Sequence, residues 1–122
     1  MSRAAQILVV DDDPAILVCV SMALEDEGYD VQTATNGVKA LEAVQQLPPA
    51  LILLDMRMPV MDGWAFARAY RELPCPHVPI IVLTAARDAG AYADEVEAAA
   101  YLAKPFDLNE LLHIVAHYTG RG

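Results

Sequence analysis

The sequence has little positive charge and no long apolar run, and both absences limit what the protein can be. Lysine and arginine number 8 against 17 aspartates and glutamates, a formal net charge of −9 at pH 7. So acidic a chain lacks the basic surface with which proteins neutralise nucleic-acid phosphates, and we expect no direct nucleic-acid binding. No stretch approaches the roughly 18–20 apolar residues of a membrane span, and residues 1–6 form no apolar signal segment. We therefore expect a cytoplasmic protein without a membrane contact.

Cysteine is also scarce, and its two positions form no metal-binding motif. Cys19 falls in the first predicted helix and Cys75 in a proline-rich connection, and neither belongs to a CxxC pair or a Cys/His cluster. Structural zinc sites need such ligands at short spacings, so we expect no zinc site. With 122 residues, of which 56% are hydrophobic, the chain is long enough for one domain with a substantial core. We expect a single domain over residues 1–122.

Short apolar runs alternate with helical patterns along the chain. The unbroken runs lie at residues 7–10, 51–54, 79–83 and 101–103, and an alternating segment lies at 30–35. Runs of this kind are typical of strands buried on both faces of a parallel sheet. Helical spacing appears between residues 14 and 28, at 38–47, about 64–73, roughly 88–97 and from 108 onward. The sequence therefore predicts an α/β fold, a (βα)5 doubly wound five-stranded parallel sheet.

Four polar residues lie just past these apolar runs, namely Asp12, Asp55, Thr84 and Lys104. Ligands of open α/β sheets bind outside the carboxyl ends of the strands, so these side chains should meet at one edge. Two carboxylates, a hydroxyl and an ammonium suit a divalent metal and a phosphoryl group. A strand-end aspartate such as Asp55 can attack a phosphoryl group to give an aspartyl-phosphate. Lys104 would then contact one phosphoryl oxygen and Thr84 another.

A hard cation is the expected cofactor of such a site. Mg²⁺ (or Mn²⁺) takes carboxylate, water and phosphate oxygens and would reduce the repulsion between the anionic groups. We expect Asp12 and Asp55 to bind it directly and Asp11 to bind it through water. A main-chain carbonyl near Arg57 would supply a further ligand without requiring any particular side chain. Without the metal, the clustered carboxylates repel, so their pKa values should be raised and coupled.

The order of these motifs resembles that of the receiver domain of two-component response regulators, a flavodoxin-like (CheY-like) domain. The resemblance covers nearly the whole chain, and the segments that carry it are residues 7–14, 53–63, 82–85 and 101–106. It implies that Asp55 is the phosphoacceptor and that Asp11 and Asp12 are the acidic metal-binding pair. It also implies that Thr84 and Lys104 contact the phosphoryl group. The main-chain carbonyl at position 57 would be the remaining protein ligand of the metal.

The resemblance also implies partners and a switch. Family members receive phosphate from a sensor histidine kinase, a histidine phosphotransfer protein or small phosphodonors, and lose it by self-catalysed hydrolysis. They are therefore phosphoacceptors rather than turnover enzymes acting on an external substrate. In family members, phosphorylation draws the threonine inward, and an aromatic residue of the fifth strand follows it. This movement changes the face formed by the fourth helix, fifth strand and fifth helix, which binds a downstream protein. Here the threonine would be Thr84 and the aromatic residue Tyr101. The resemblance also implies that the protein is a monomer or a weak phosphorylation-dependent dimer. The Lys104–Pro105 bond is a candidate cis peptide.

One segment departs from the family pattern. Family members commonly have a Gly-Ala pair a few residues before the fifth-strand aromatic, whereas residues 96–100 of this chain contain no glycine. The departure falls at the end of the fourth helix, on the face that the resemblance implies for signalling to a partner. We expect it to leave the phosphorylation site intact and to affect the usual mode of partner binding and dimerisation.

Two other functions fit part of the pattern. A metal-dependent phosphohydrolase of the haloacid dehalogenase type also has an aspartate nucleophile after an apolar strand, often in an Asp-x-Asp motif, which residues 11–13 satisfy. However, the threonine or valine expected next is absent, and no cap domain or later acidic motif follows. A phosphorylation-independent interaction module with the same fold is the second alternative. It would be expected if Asp55, Thr84 or Lys104 were replaced, and all three are present.

Overall fold

A computed structural model describes residues 6–85 and 87–120, in which five strands alternate with five helices. The strands are β1 (Gln6–Val10), β2 (Asp30–Ala34), β3 (Leu51–Asp55), β4 (Ile80–Ala85) and β5 (Ala100–Lys104). The helices are α1 (Pro14–Asp26), α2 (Gly37–Gln46), α3 (Gly63–Glu72), α4 (Ala89–Glu95) and α5 (Leu108–Tyr118). All strand pairs are parallel, in the order β2-β1-β3-β4-β5. The predicted (βα)5 doubly wound sheet is confirmed.

The sheet is buried on both faces because its central strands carry apolar side chains in both directions. Side chains alternate between the faces of a strand, so Leu8 packs with the cluster that includes α2, α3 and α4, and Val9 with the cluster of α1 and α5. Phe66 of α3 and Leu111 of α5 are fully buried on the two sides. In the described part of the chain, no helix has the length and apolar character needed to cross a membrane.

Four helices begin at a residue whose side chain accepts a hydrogen bond from a main-chain N–H of the first turn. These caps are Asp13, Asn36, Asp62 and Asp107, at donor–acceptor distances of 2.8–2.9 Å. Such caps satisfy amide groups that have no partner within the helix. At α1 the cap is Asp13, and Pro14 occupies the first helical turn, where its missing N–H leaves no hydrogen bond unmade. The cap fixes where α1 begins, directly after the two aspartates that follow β1.

The end of α4 accommodates the absence of the expected glycine. Glu97 has a φ of +55°, in the left-handed region that glycine adopts without a steric penalty. The N–H of Ala98 donates to the carbonyl of Ala93 at 2.8 Å. From α3, Nη2 of Arg71 donates to the carbonyls of Val96 at 2.6 Å and Glu97 at 3.0 Å. Charge-assisted bonds of this kind are stronger than neutral ones, so Arg71 holds the chain in the turn that a glycine would otherwise favour.

Replacing Glu97 by glycine should stabilise the protein. A non-glycine residue in the left-handed region costs about 1–3 kcal/mol, part of which is offset by the greater freedom of glycine in the unfolded chain. We expect Glu97→Gly to raise the free energy of unfolding by about 1 kcal/mol, measured by urea denaturation. The control is Glu95→Gly, at the last residue of α4, which should lower the free energy of unfolding by about 1 kcal/mol because it weakens the helix and removes the hydrogen bond from Trp64. An unchanged stability in Glu97→Gly would mean that the Arg71 contacts already remove the strain.

Candidate functional site

The carboxyl ends of four neighbouring strands bring the predicted side chains to one edge of the sheet. Asp11 and Asp12 directly follow β1, Asp55 is the last residue of β3, Thr84 lies near the end of β4, and Lys104 is the last residue of β5. Because β1, β3, β4 and β5 are consecutive in the sheet, these residues lie close together around one crevice. The convergence expected from the sequence therefore occurs.

The three aspartates form a group that fits a divalent cation. Carboxylate oxygens of Asp11, Asp12 and Asp55 all lie within 4.8 Å of one another, so a single ion could contact each of them. Asp11 is fully buried, Asp55 is 6% exposed, and Asp12 is exposed to solvent. The main-chain N–H of Asp13 donates to Oδ1 of Asp11 at 2.9 Å, which fixes the orientation of that carboxylate. Hard oxygen donors with one side open to water are the set that Mg²⁺ prefers.

Lys104 supplies the positive charge of the site. Its Nζ lies 2.7 Å from Oδ2 of Asp11 and 3.5 Å from Oδ1 of Asp55. Burial acts to lower the pKa of Lys104, but the hydrogen bond and charge of Asp11, together with the charge of Asp55, raise it overall. The ammonium is therefore firmly protonated. The bond from Lys104 to Pro105 is a cis peptide. One ammonium faces three carboxylates, so the site retains negative charge that a cation would neutralise.

Asp55 has the clearest change in acidity. The pKa of Asp55 is raised from 3.8 to about 6. Burial is the largest cause, the negative charge of Asp11 adds to it, and Lys104 offsets part of the effect. The expectation of a raised pKa in a metal-free acidic cluster thus holds for Asp55. A buried carboxylate with a raised pKa in a cleft is typical of functional sites.

This pKa predicts how stability depends on pH. Because folded Asp55 binds its proton more tightly than unfolded Asp55, the folded state is favoured at low pH. The contribution of Asp55 to the free energy of unfolding should fall as pH rises from about 4 to about 6. Allowing for screening by solvent at the open side of the site, the fall should be about 1–2 kcal/mol. Urea denaturation of wild type and Asp55→Asn at pH 4.5 and pH 7 measures it. If the free energy of unfolding falls by the same amount in both proteins between pH 4.5 and pH 7, the pH dependence does not come from Asp55.

The two residues expected to switch lie on neighbouring strands. Thr84 is buried, 3% exposed, and lines the crevice beside Asp55 and Lys104. Tyr101 is 51% exposed, and its ring lies over α4, where a methyl group on Gly90 would meet the ring at 3.5 Å. The side chain of Tyr101 therefore points outward in this structure. Its inward movement in response to Thr84 stays a prediction.

The structure also contains a cluster that the sequence did not predict, between the β3–α3 loop and α4. Nη2 of Arg57 donates to the hydroxyl of Tyr92 at 2.6 Å, and the guanidinium lies 5.5 Å and 5.7 Å from the ring centroids of Tyr92 and Trp64. The two rings meet edge to face, with centroids 4.6 Å apart, and Nε1 of Trp64 donates to Glu95 at 3.0 Å. Arg57 was expected to contribute only its main-chain carbonyl. Its side chain links the loop that follows Asp55 to α4 by hydrogen-bond and cation–π contacts.

Comparisons with known proteins agree with this geometry. A family model described as the response regulator receiver domain matches residues 7–116. The DNA-binding dual master transcriptional regulator RpaA of Synechocystis sp. is 42% identical over 113 residues, which cover 88% of this chain and 46% of RpaA. The chain spans less than half the length of the curated relatives it matches.

Two solved structures are similar over nearly all of their length. A putative response regulator from Chloroflexus aurantiacus is 32% identical with a TM-score of 0.89, covering 98% of this chain and 100% of that one. The receiver domain of the sensor histidine kinase PA1611 from Pseudomonas aeruginosa, which has a magnesium ion in its active site cleft, is also 32% identical. Its TM-score is 0.86, and the match covers 96% of this chain and 98% of that one.

Proposed function

Since this chain belongs to the family of response regulator receiver domains, a family of signalling modules, we propose that Asp55 is its phosphoacceptor and that the transfer depends on Mg²⁺. The observation that carries the proposal is the placement of the Asp55 carboxylate. It lies within 4.8 Å of carboxylate oxygens of Asp11 and Asp12 and 3.5 Å from the Lys104 ammonium. A nucleophile and the groups that neutralise an incoming phosphate are thus held at one point.

The reaction is a displacement at phosphorus. A carboxylate oxygen of Asp55 forms a bond to the phosphorus atom while the bond from phosphorus to the donor's leaving atom breaks. The Lys104 ammonium binds one oxygen of the transferred group, and the Thr84 hydroxyl donates a hydrogen bond to another. In the later hydrolysis, water attacks the phosphorus and Asp55 leaves as a carboxylate. The domain thus catalyses its own phosphorylation and dephosphorylation by positioning and charge neutralisation, without turnover of an external substrate.

We propose that Asp11, Asp12, Asp55 and the Arg57 main-chain carbonyl hold the Mg²⁺ ion, or Mn²⁺ in its place. When bound, the ion would reduce the repulsion between the phosphoryl group and the carboxylates. Asp11 would also position Lys104, because the same carboxylate accepts a hydrogen bond from the ammonium at 2.7 Å. It therefore keeps the ammonium close to Asp55, where the phosphoryl oxygen arrives.

We propose a sensor histidine kinase or a histidine phosphotransfer protein as the phosphodonor, with small phosphodonors as substitutes. The face formed by α4, β5 and α5 would signal to a downstream protein, with Thr84 and Tyr101 as the switch. The domain would occupy residues 1–122 and act in the cytoplasm as a monomer or a weak phosphorylation-dependent dimer. It would make no direct contact with nucleic acid, because its net charge of −9 would repel the phosphates.

Intact mass measurement tests the proposal. The protein is incubated with acetyl phosphate with and without MgCl₂ and followed over time. We expect a single phosphoryl adduct that needs Mg²⁺ and disappears after the donor is removed. Sustained release of phosphate from many esters without an adduct would instead indicate a phosphohydrolase. The absence of any adduct would indicate an interaction module that does not depend on phosphorylation.

A further inference from the structure

Arg57 has two connections that lie in different parts of the fold. Its main-chain carbonyl belongs to the loop that follows Asp55, where it is the proposed metal ligand, and it accepts no hydrogen bond from residues 6–85 or 87–120. Its guanidinium reaches α4, where Nη2 donates to the Tyr92 hydroxyl at 2.6 Å and the charge lies 5.5 Å from the centre of the ring. The side chain of Arg57 thus connects a metal ligand to a helix outside the site.

The loop is held by main-chain hydrogen bonds on either side of Arg57. The N–H of Gly63 donates to the carbonyl of Met56 at 2.9 Å, and the N–H of Gly37 donates to that of Met61 at 2.9 Å. Arg57 lies between these two points and is exposed to solvent. The contacts of its guanidinium therefore help to hold this part of the loop, and with it the direction of the carbonyl.

Tyr92 can hold Arg57 because its own ring is held by α3. Trp64 of α3 meets the Tyr92 ring edge to face, with centroids 4.6 Å apart, and its Nε1 donates to Glu95 at 3.0 Å. These contacts matter because α4 has only seven residues and its first turn receives no side-chain hydrogen bond from Asp88. A helix this short is not stable by itself. Contacts from α3 therefore fix where the Tyr92 hydroxyl lies.

We propose that Tyr92 positions the main-chain carbonyl of Arg57 for the divalent cation by holding the Arg57 side chain. Tyr92 acts through Arg57 and contacts neither the ion nor the phosphoryl group. The inference rests on the proposed function, because it requires the Arg57 carbonyl to be a metal ligand. It deepens that function by making a residue of α4 part of what the metal site requires. Binding of the cation and the contact between Arg57 and Tyr92 then favour each other.

The expected effect is moderate, because the contact lies at the surface. Removal of a group that orients a metal ligand typically lowers metal affinity about 10–100-fold. The hydrogen bond between Arg57 and Tyr92 is exposed to solvent, where polar contacts are weaker. We therefore expect Tyr92→Phe, which keeps the ring and loses only the hydroxyl, to raise the dissociation constant of the cation about fivefold.

Mn²⁺ is the probe, because electron paramagnetic resonance counts the free ion directly and needs no phosphorylation. The matched control is Tyr118→Phe, which removes the hydroxyl that donates to the carbonyl of Ala99 at 3.1 Å, at the opposite edge of the sheet from the site. This control should bind Mn²⁺ with the wild-type dissociation constant. With acetyl phosphate, Tyr92→Phe should need about fivefold more Mg²⁺ for the half-maximal rate of adduct formation and should reach the wild-type maximum. Equal Mn²⁺ affinities in wild type and Tyr92→Phe would overturn the inference.

Arg57→Met tests whether Tyr92 acts through Arg57. In this background the hydroxyl has no guanidinium to hold, so the additional change Tyr92→Phe should leave the Mn²⁺ affinity unchanged. If Tyr92→Phe instead weakens Mn²⁺ binding as much in Arg57→Met as in wild type, Tyr92 acts on the site by another route and the inference is wrong.

Hydrogen exchange measures the same coupling from the side of α4. The N–H of Tyr92 donates to the carbonyl of Asp88 at 2.9 Å, and the N–H of Val96 donates to that of Tyr92 at 3.2 Å. Saturating MgCl₂ should slow exchange of these amides by up to about fivefold in wild type and should not slow it in Tyr92→Phe. Equal slowing in both proteins would contradict the inference. Failure of the proposed function would appear separately, as a wild type that binds no Mn²⁺ and forms no adduct with acetyl phosphate.

Discussion

Asp55→Asn is expected to abolish phosphoryl uptake and to leave the fold intact. The amide is a poor nucleophile compared with a carboxylate, so the rate of adduct formation with acetyl phosphate and Mg²⁺ should fall by at least about 100-fold. The variant should also be more stable at pH 7, by about 1 kcal/mol. The amide carries no charge to desolvate, and the repulsion from Asp11 that raises the pKa of Asp55 is removed. Intact mass and urea denaturation measure the two effects.

Asp62→Asn is the matched control for this substitution. Asp62 lies at the end of the loop that follows Asp55 and caps α3 by accepting a hydrogen bond from the N–H of Ala65 at 2.9 Å. Asparagine caps a helix about as well as aspartate does, so this variant should fold and take up phosphate at the wild-type rate. A full adduct in Asp55→Asn would mean that another residue accepts the phosphoryl group.

Lys104→Met is expected to have the largest effect on stability. The substitution keeps a side chain of similar length but leaves Asp11, which is fully buried, without its ammonium partner at 2.7 Å. Breaking a buried ion pair by removing one partner costs about 3–5 kcal/mol. Because the Lys104 side chain is 25% exposed, we expect a loss of about 2 kcal/mol at pH 7, measured by urea denaturation. The loss should shrink at pH 5, where a carboxyl of the cluster can be neutral.

Added Mg²⁺ distinguishes the contribution of Lys104 to stability from its contribution to phosphoryl transfer. A cation bound by the acidic cluster would neutralise the same carboxylates, so millimolar MgCl₂ should restore most of the lost stability. Phosphoryl uptake should stay low under these conditions, because the contact from the ammonium to the phosphoryl oxygen is still missing. Lys39→Met, on the exposed side of α2, is the control and should change neither property. A variant that regains full uptake with Mg²⁺ would contradict the assigned role of Lys104 in transfer.

The sequence was sufficient to predict the architecture and which polar side chains meet at one edge of the sheet. Short unbroken apolar runs favour strands that are covered on both faces, and in a parallel sheet the residues after such strands meet at one edge. Asp12, Asp55 and Lys104 therefore came together as expected. The ends of the helices were within a few residues of the predicted positions, because proline, glycine and the capping aspartates mark them.

Three features depend on contacts between distant segments and could not be predicted in this way. The contact of Arg57 with Tyr92 joins residues 35 positions apart, and no periodic pattern indicates it. The absence of a glycine before Tyr101 was evident from the sequence, but its compensation by Arg71 was not, because that side chain comes from another helix. The cavity beside Asp55 depends on how α1 and the start of α5 pack against the sheet.

The ion pair between Asp11 and Lys104 spans 93 positions of the chain, and this has a consequence for the order of events during synthesis. Translation produces Asp11 and Asp12 first, Asp55 later and Lys104 near the end of the domain. Contacts between segments so distant in sequence form late, after the ends of a long loop have been brought together. A nascent chain without β5 would lack the ammonium beside Asp55, even if β1 and β3 were already paired. The domain would thus become able to take up phosphate only when the last strand joins the sheet, so an unfinished chain would not be phosphorylated.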